Sequence, residues 1–517
     1  MLPTPEQRRV LDAVRDQREN VAVDAVAGAG KTTTIVSACR VAGPRTGFLA
    51  FNKHIAGELK TRLAGTAEAS TMHGLGFACL NRARPGIQLN DRKTRDRLKV
   101  LFPKLHREGR GKWKGRLFLS DDWAGLPDAV AVCKQQCASP ADDPADVESA
   151  CWRQGVDLPA DADQRKQFFG YVAETVAAAA DDTDSCDFDD MIWLPVRLGL
   201  VRPEFATLFV DEVQDLNPAQ QQLAIAAGDR VNIVGDPRQA IMGFAGADTR
   251  GFPRMCERLA GGRGLLQLPL TNCFRCPESH LRLAQLLVPH IQPGAFADEG
   301  TVEEVPAARL VAGAVPGDMV ICRNTAPLLI LAYRMIAAKV PILVRGRKIG
   351  DNLRDLVQGL KASGPADLLS RLSAWEVEQR DKLEAADAPT EAVEALTDRA
   401  GSLRALAQNA SSLGELFDLL DSLFSDNDPA GKVLLSSVHR SKGLEANRVW
   451  IYEPGLMPGR AGEPQELNLL YVALTRAKQS LFLVDDEVRR KDSAATWVAK
   501  VAAGESKFDL TERRGGL

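Results

Sequence analysis

Val21-Ala22-Val23-Asp24-Ala25-Val26-Ala27-Gly28-Ala29-Gly30-Lys31-Thr32 is the stretch on which the fold turns. Val21–Val23 is short, apolar and β-prone, and Thr33 to Val41 reads as a helix with Ile35 and Val36 turned inward. A strand that feeds a Gly-rich turn opening a helix aims backbone N–H groups and a helix N-terminus at an anion. Lys31 then reaches β- and γ-phosphates, and Thr32 sets its hydroxyl on Mg²⁺. Ala25 stands where the strict pattern has its first Gly, the one departure in the loop. A Gly-rich strand–helix turn without a ligand is the bland alternative, and it gives no reason for the Lys-Thr pair. The expected ligand is a nucleoside triphosphate.

The second half of such a site follows downstream. Leu208-Phe209-Val210-Asp211-Glu212-Val213-Gln214-Asp215 is an apolar strand delivering adjacent carboxylates. Asp211 can hold Mg²⁺ through water and Glu212 can polarise the attacking water. Val234-Gly235-Asp236-Pro237-Arg238-Gln239 is another strand ending in a turn, where Gln239 can bond a γ-phosphate or its attacking water. Phe274-Arg275 follows the strand-like Leu266–Leu268, and Thr475-Arg476 is expected inside a helix from Leu469 to Lys478. A guanidinium at a γ-phosphate stabilises transition-state charge. Generic surface arginines are the competing reading of both.

The 517 residues exceed a single core and predict two to four domains. No apolar run approaches a bilayer-spanning length, and the N-terminus lacks a basic-then-apolar leader, so a soluble cytoplasmic location is expected. The net charge of −3 argues against a uniformly basic protein, but charge is uneven. Asp91 to Arg116 carries eleven Lys/Arg against three Asp/Glu, either a phosphate-contacting face or a solvated helix. Asp351 to Lys432 carries sixteen acids against eight bases, a poor nucleic-acid surface. The ten cysteines are expected to be reduced; Cys133, Cys137, Cys151 and Cys186 either gather round a metal or are buried thiols.

Short β-prone runs alternating with helical stretches imply an α/β fold with parallel sheets covered by helices. Two sheet-forming halves separate near residue 265, each interrupted by a mainly helical insertion: 86–184 with the basic block, and a small acidic one over 351–430. In the second, Leu368 to Leu406 reads as two long helices broken near Pro389.

Taken in order, the motifs resemble those of superfamily 1 helicases of the UvrD/Rep group, with wording similar to the F-box DNA helicase branch. They are Thr4–Gln7, Ala25–Thr32, Ala50-Phe51-Asn52-Lys53, Thr71-Met72-His73-Gly74-Leu75, Asp187-Phe188-Asp189-Asp190-Met191, Asp211–Asp215 and Gly235–Phe244. Phe274-Arg275, Ser437–Glu445 and Tyr471–Lys478 complete the series. The resemblance implies two RecA-like domains in tandem, 1–85 plus 185–265 and 266–350 plus 431–517, with ATP and Mg²⁺ between them.

By the same resemblance, Ala27, Gly28, Ala29, Gly30, Lys31, Thr32 and Thr33 cradle the phosphates, and Gln7 reads the adenine edge. Phe274 stacks on the base, Glu445 reaches the ribose, and Arg275 and Arg476 act as finger arginines. Phe51, Asn52, Lys53, Thr71, His73, Phe244 and His439 fall in motifs that touch single-stranded DNA. Phe51 and Phe244 are open to a core reading as well. Met242 and Ala245 stand where relatives commonly have Tyr and Arg, weakening one stacking platform and one cationic contact.

The implied activity is a DNA-stimulated ATPase and 3′→5′ helicase working on single strands and on single-strand/duplex junctions, nucleoid-associated when at work. The alternative is a translocase that strips proteins or remodels forks with little unwinding. The acidic insertion suggests a protein partner, and nothing in the sequence suggests a membrane.

Overall fold

The computed structural model describes residues 3–16, 18–50, 53–108, 117–119, 123–141, 144–241, 250–386, 388, 390–425, 430–459, 463–485 and 493–504. They form two compact units. The first comprises residues 1–25, 30–270 and 382–392; the second comprises 26–29, 271–381 and 393–517. Among the described residues no helix is long and apolar enough to cross a membrane.

The first unit is built on a six-stranded parallel sheet. Its order, edge to edge, is Leu265–Leu270, Asn20–Ala25, Val231–Gly235, Thr207–Val210, Thr46–Ala50 and Glu68–Thr71. Asn20–Ala25, Thr207–Val210 and Val231–Gly235 are buried almost throughout, as strands covered on both faces must be. Because the strands run parallel, their carboxyl ends share one edge, where α/β sheets carry ligands. Leu265–Leu270 was expected to open the second half; it pairs in register with Asn20–Ala25 instead, from Asn20↔Leu265 to Ala25↔Leu270.

The helical insertion of this unit has its own core, in which Leu98, Leu126, Val130, Cys133, Cys151, Phe168 and Val172 are fully buried. Ala386 is buried in the same cluster, with Leu383 and Ala388 against it. A pair of carboxylates, Asp187 and Asp190, meets two buried lysines beside it. Lys93 Nζ lies 2.6 Å from Asp190 Oδ2, and Lys134 Nζ lies 2.6 Å from Asp187 Oδ2 and 2.8 Å from Asp190 Oδ1. Burial opposes charge on Lys134, but Asp190 and Asp187 outweigh it and raise its pKa.

That arrangement corrects one expectation about the basic block. Lys93 is 1% exposed and serves the core, while its neighbours Arg92 and Arg95 are exposed. Arg97 pairs with Asp182 at 2.6 Å. Residues 109–116 of the block lie outside the described residues.

The second unit holds a seven-stranded parallel sheet: Thr301–Pro306, Ala477–Asp485, Ala446–Tyr452, Met319–Cys322, Val433–Ser437, Ile342–Arg345 and Phe424–Ser425. Trp450 and Phe482, from adjacent strands, stack at 3.9 Å between centroids. The expected pair of long helices appears as Pro365–Ala385 and Thr390–Ala407. The helix expected to hold Thr475 and Arg476 spans Pro464–Leu474 and stops short of them. Thr475 caps it, its N–H bonding Tyr471 O and Val472 O, and a strand begins at Ala477. The β-rich run Ser480–Val484 extends back through Ala477 and leaves no room for the extra helical turn.

Candidate functional site

Three adjacent central strands of the first unit deliver their successors to one edge. The phosphate-loop helix Lys31–Val41 starts at Gly30, whose φ of 76° suits glycine and which supplies no side-chain cap, leaving the first amides to a ligand. Lys31 Nζ stands 3.4 Å from Glu212 Oε2, with both side chains largely covered.

Glu212 holds φ at 51°, left-handed backbone that a non-glycine residue occupies at a cost of about 1–2 kcal/mol. Beside it, Asp211 is 4% exposed and its Oδ1 accepts the Glu212 N–H at 2.9 Å. Burial and then the Glu212 charge push the Asp211 carboxyl up to about 7, against the pull of Lys31. A buried acid so crowded is suited to a divalent cation.

Sequence reasoning assigned no role to Gln214, yet it joins two of the motifs. Its Nε2 donates to Glu212 Oε2 at 2.6 Å and its Oε1 accepts the Asp236 N–H at 3.1 Å. Asp236 is fully buried, and its Oδ2 accepts from Gln239 Nε2 at 2.8 Å. A hydrogen-bonded chain thus runs from Lys31 through Glu212, Gln214 and Asp236 to Gln239. The only sequence signal for Gln214 was its place inside the quoted Asp211–Asp215 motif.

Gln7 occupies the third position of the helix Pro5–Asp16, and its Oε1 accepts the Thr4 N–H at 3.0 Å while Thr4 Oγ1 accepts the Gln7 N–H at 3.2 Å. This is a capping box, so the side chain expected at an adenine edge also holds the helix start. Thr71 likewise caps the helix Met72–Ala83, accepting from Gly74 N at 3.0 Å. His73 lies edge-on to Phe188 at 6.3 Å between centroids. Phe188 is half-exposed, and sequence reasoning gave it no role although its motif was quoted. Lys53 begins the helix Lys53–Arg62. Phe51, Asn52, Met242, Phe244 and Ala245 lie outside the described residues.

In the second unit, residues 26–29 lie against Cys273–Arg275. Phe274 N–H donates to Gly28 O at 2.9 Å and Ala27 N–H to Tyr471 Oη at 2.9 Å. A Cβ on Gly28, whose φ is 69°, would fall 2.7 Å from Arg275 Cβ and 2.9 Å from Cys273 Sγ. Ala27 and Ala29 are buried. Arg275 Nε meets Glu445 Oε2 at 2.7 Å and its Nη1 bonds Thr475 O at 3.4 Å.

Arg476, 1% exposed, donates to Val472 O at 3.0 Å and Leu444 O at 3.2 Å. Both arginines therefore converge on one corner, where the Leu444-Glu445 turn meets Thr475. Burial works against the Glu445 charge, but Lys478 and Arg275 outweigh it and hold the carboxyl below its ordinary range. The residue expected at a ribose is thus already ion-paired on both oxygens. Phe274 is half-exposed, its ring packed where a Cβ on Gly294 would sit.

His439, expected at a DNA strand, opens a short 3-10 turn, His439–Ser441. Burial first, then Arg323, push its pKa down to about 4, with Glu466 opposing. All ten cysteines are free thiols, and all but Cys137 are buried. Cys133, Cys151 and Cys186 sit in the insertion core, and among the described residues no cluster of three or more His, Cys, Asp or Glu side chains is placed to hold a metal.

Residues 4–259 match the UvrD/REP helicase N-terminal domain, and residues 432–484 match the UvrD-like helicase C-terminal domain. The chain belongs to the UvrD/Rep helicase family. It is similar to F-box DNA helicase protein 1 of Schizosaccharomyces pombe, 26% identical over 93% of this chain and 57% of that protein. It is also similar to F-box DNA helicase 1 of Gallus gallus, 23% identical over 93% of this chain and 49% of that one. The chain thus spans about half the length of the curated relatives it matches. A crystal structure of arterivirus nonstructural protein 10, a helicase, aligns with a TM-score of 0.34 at 13% identity, over 93% of this chain and 63% of that one. That likeness is too loose to bear on the fold.

Proposed function

We propose that this member of the UvrD/Rep helicase family hydrolyses ATP held between two RecA-like domains, translocates 3′→5′ on single-stranded DNA and unwinds duplex at single-strand/duplex junctions. The observation that carries the reading is the Lys31–Glu212 pair at 3.4 Å, set beside buried Asp211 where three parallel strands end. The proposed domains are 1–85 plus 185–270 and 271–350 plus 431–517, the boundary expected near 265 moving past the strand Leu265–Leu270, with insertions over 86–184 and 351–430.

Ala27 to Thr33 enclose the phosphates; the Ala27 N–H is held by Tyr471 Oη and the Ala29 N–H by Val26 O, so Gly28 and Gly30 to Thr33 supply the backbone N–H groups, and Lys31 neutralises charge on the phosphates. Thr32 and Asp211 are the residues that would hold Mg²⁺, which when bound supplies positive charge to the phosphate oxygens. Glu212 accepts the proton of the attacking water, leaving its contact with Lys31 as nucleotide enters. Gln239 orients that water, and Arg275 and Arg476 stabilise charge on the transferring phosphoryl. Gln7 and Phe274 recognise the base, and Glu445 reaches the ribose by releasing Arg275 or Lys478.

Lys53, Thr71, His73 and His439, with Phe51, Asn52 and Phe244, make up the proposed DNA contacts. The acidic insertion 351–430 is the proposed site for a protein partner. Its small size favours a second reading, a translocase that strips proteins or remodels forks with little unwinding.

The test is ATP turnover with and without a single-stranded oligonucleotide, then strand displacement on 3′- and 5′-tailed duplexes. Stimulation with displacement of the 3′-tailed substrate is expected. Absence of stimulation removes both motor readings, and stimulation without displacement selects the second.

A further inference from the structure

Arg238 stands immediately before Gln239 and is gripped by two carboxylates, Asp24 in one strand and Asp236 just past the end of its neighbour. Its Nε donates to Asp236 Oδ1 at 2.8 Å and its Nη1 to Asp24 Oδ2 at 3.1 Å; its Nη2 also bonds Asp24 Oδ1. Asp24 and Gly235 are register partners in adjacent parallel strands, so Asp24 lies beside the point where the second strand turns into Asp236. A planar guanidinium held by both oxygens of one carboxylate and one oxygen of another is fixed in direction as well as in place.

The same Asp236 carboxylate is divided between two duties. Oδ1 takes Arg238 Nε and the Arg238 N–H at 3.1 Å, and Oδ2 takes Gln239 Nε2 at 2.8 Å. The rotation of Asp236 sets where the Gln239 amide points, and Arg238 sets that rotation. Asp24 is in turn the second anchor of Arg238. Asp24 also lies one residue before the end of the strand that leads into the phosphate loop, so the chain of polar contacts Lys31, Glu212, Gln214, Asp236, Arg238, Asp24 returns to the segment that precedes Lys31.

We propose that Asp24 and Arg238 form a positioning pair that aims Gln239 at the hydrolytic centre, tying its turn to the strand that carries the phosphate loop. The proposal rests on the assignment of Gln239 to hydrolysis and adds two residues to which the motifs gave no role. Neither residue touches nucleotide in this scheme. The pair acts on the rate of the chemical step and leaves ground-state ATP binding alone.

The experiment is steady-state ATP hydrolysis by the full chain with single-stranded oligonucleotide present. The variants are Asp24→Asn, Arg238→Gln, the double variant, Asp24→Glu and Gln239→Ala, with thermal melts of each. Asp24→Asn and Arg238→Gln are each expected to lower kcat about tenfold with KM for ATP unchanged, and the double variant to be no slower than either alone. Asp24→Glu, which keeps the charge, restores most of the rate.

Additive losses, an effect confined to KM, or a wild-type rate for Asp24→Asn overturns the pair. If Asp24→Asn does not fold, Arg238→Gln and Asp24→Glu carry the same comparison. Gln239→Ala separates the two levels. Slowed turnover there with Asp24→Asn unaffected defeats the pair alone, whereas wild-type turnover in Gln239→Ala defeats the assignment of Gln239 and the pair's purpose with it.

Discussion

Gly28 shows how narrow the tolerance is at single positions. Its φ of 69° and the 2.7 Å approach of a would-be Cβ to Arg275 Cβ leave no space for a side chain. Gly28→Ala must shift the loop crest or Arg275, and a displacement on the order of an ångström slows turnover by roughly a hundredfold. ATPase assays on a variant with an unchanged melting temperature check this; a wild-type rate would show that the crest tolerates displacement.

His439 gives a prediction in pH. Its folded pKa is about 4 against the usual 6.5, so between those values the unfolded chain binds the proton and the folded one resists it. The contribution to stability is flat above about pH 6.5 and falls as pH drops toward 4. Denaturant melts of the native chain and His439→Asn over that window should differ in slope, the variant being the flatter. Identical slopes would mean the imidazole titrates normally.

At the scale of elements, the buried Lys93–Asp190–Lys134–Asp187 cluster fastens two insertion helices, Lys93–Leu101 and Leu126–Gln136, to the segment returning to the main sheet. Lys134→Met leaves two carboxylates sharing one lysine in a closed space and should cost about 3–5 kcal/mol. A chemical melt measures it, and a loss under 1 kcal/mol would mean water enters the cluster. Charge along the sequence counts Lys93 with its neighbours in one basic block, because burial leaves no trace in one-dimensional charge. The helix ends at Leu474, short of the expected Lys478, for a related reason: Ala477–Asp485 is claimed by pairing on both sides, with Thr301–Pro306 and Ala446–Tyr452. Tertiary pairing overrides a local helical preference.

For the molecule as a whole, the exposed remainder of the basic block bears on nucleic-acid binding. Reversing Arg92 and Arg95 together should weaken single-strand affinity and reduce the slope of log affinity against log salt by about two if each meets one phosphate. An unchanged slope would assign both to solvent. The pair is a cleaner choice than any set including Lys93, whose reversal would unfold the insertion and mimic lost binding.

The sequence by itself determined the order of strands and helices around the phosphate loop, the carboxylate strand and the Gln239 turn. Glycine placement, apolar runs and adjacent charges are local properties, written within a few residues of one another. Tertiary structure alone decided which lysines of a basic run are buried, and that Leu265–Leu270 joins the first sheet. It alone brought Gln214, Arg238 and Asp24 into one hydrogen-bonded chain through Asp236. Those outcomes depend on residues far apart in the chain, Asn20 and Leu265 or Asp24 and Arg238, meeting across a sheet, and no window of sequence contains both partners.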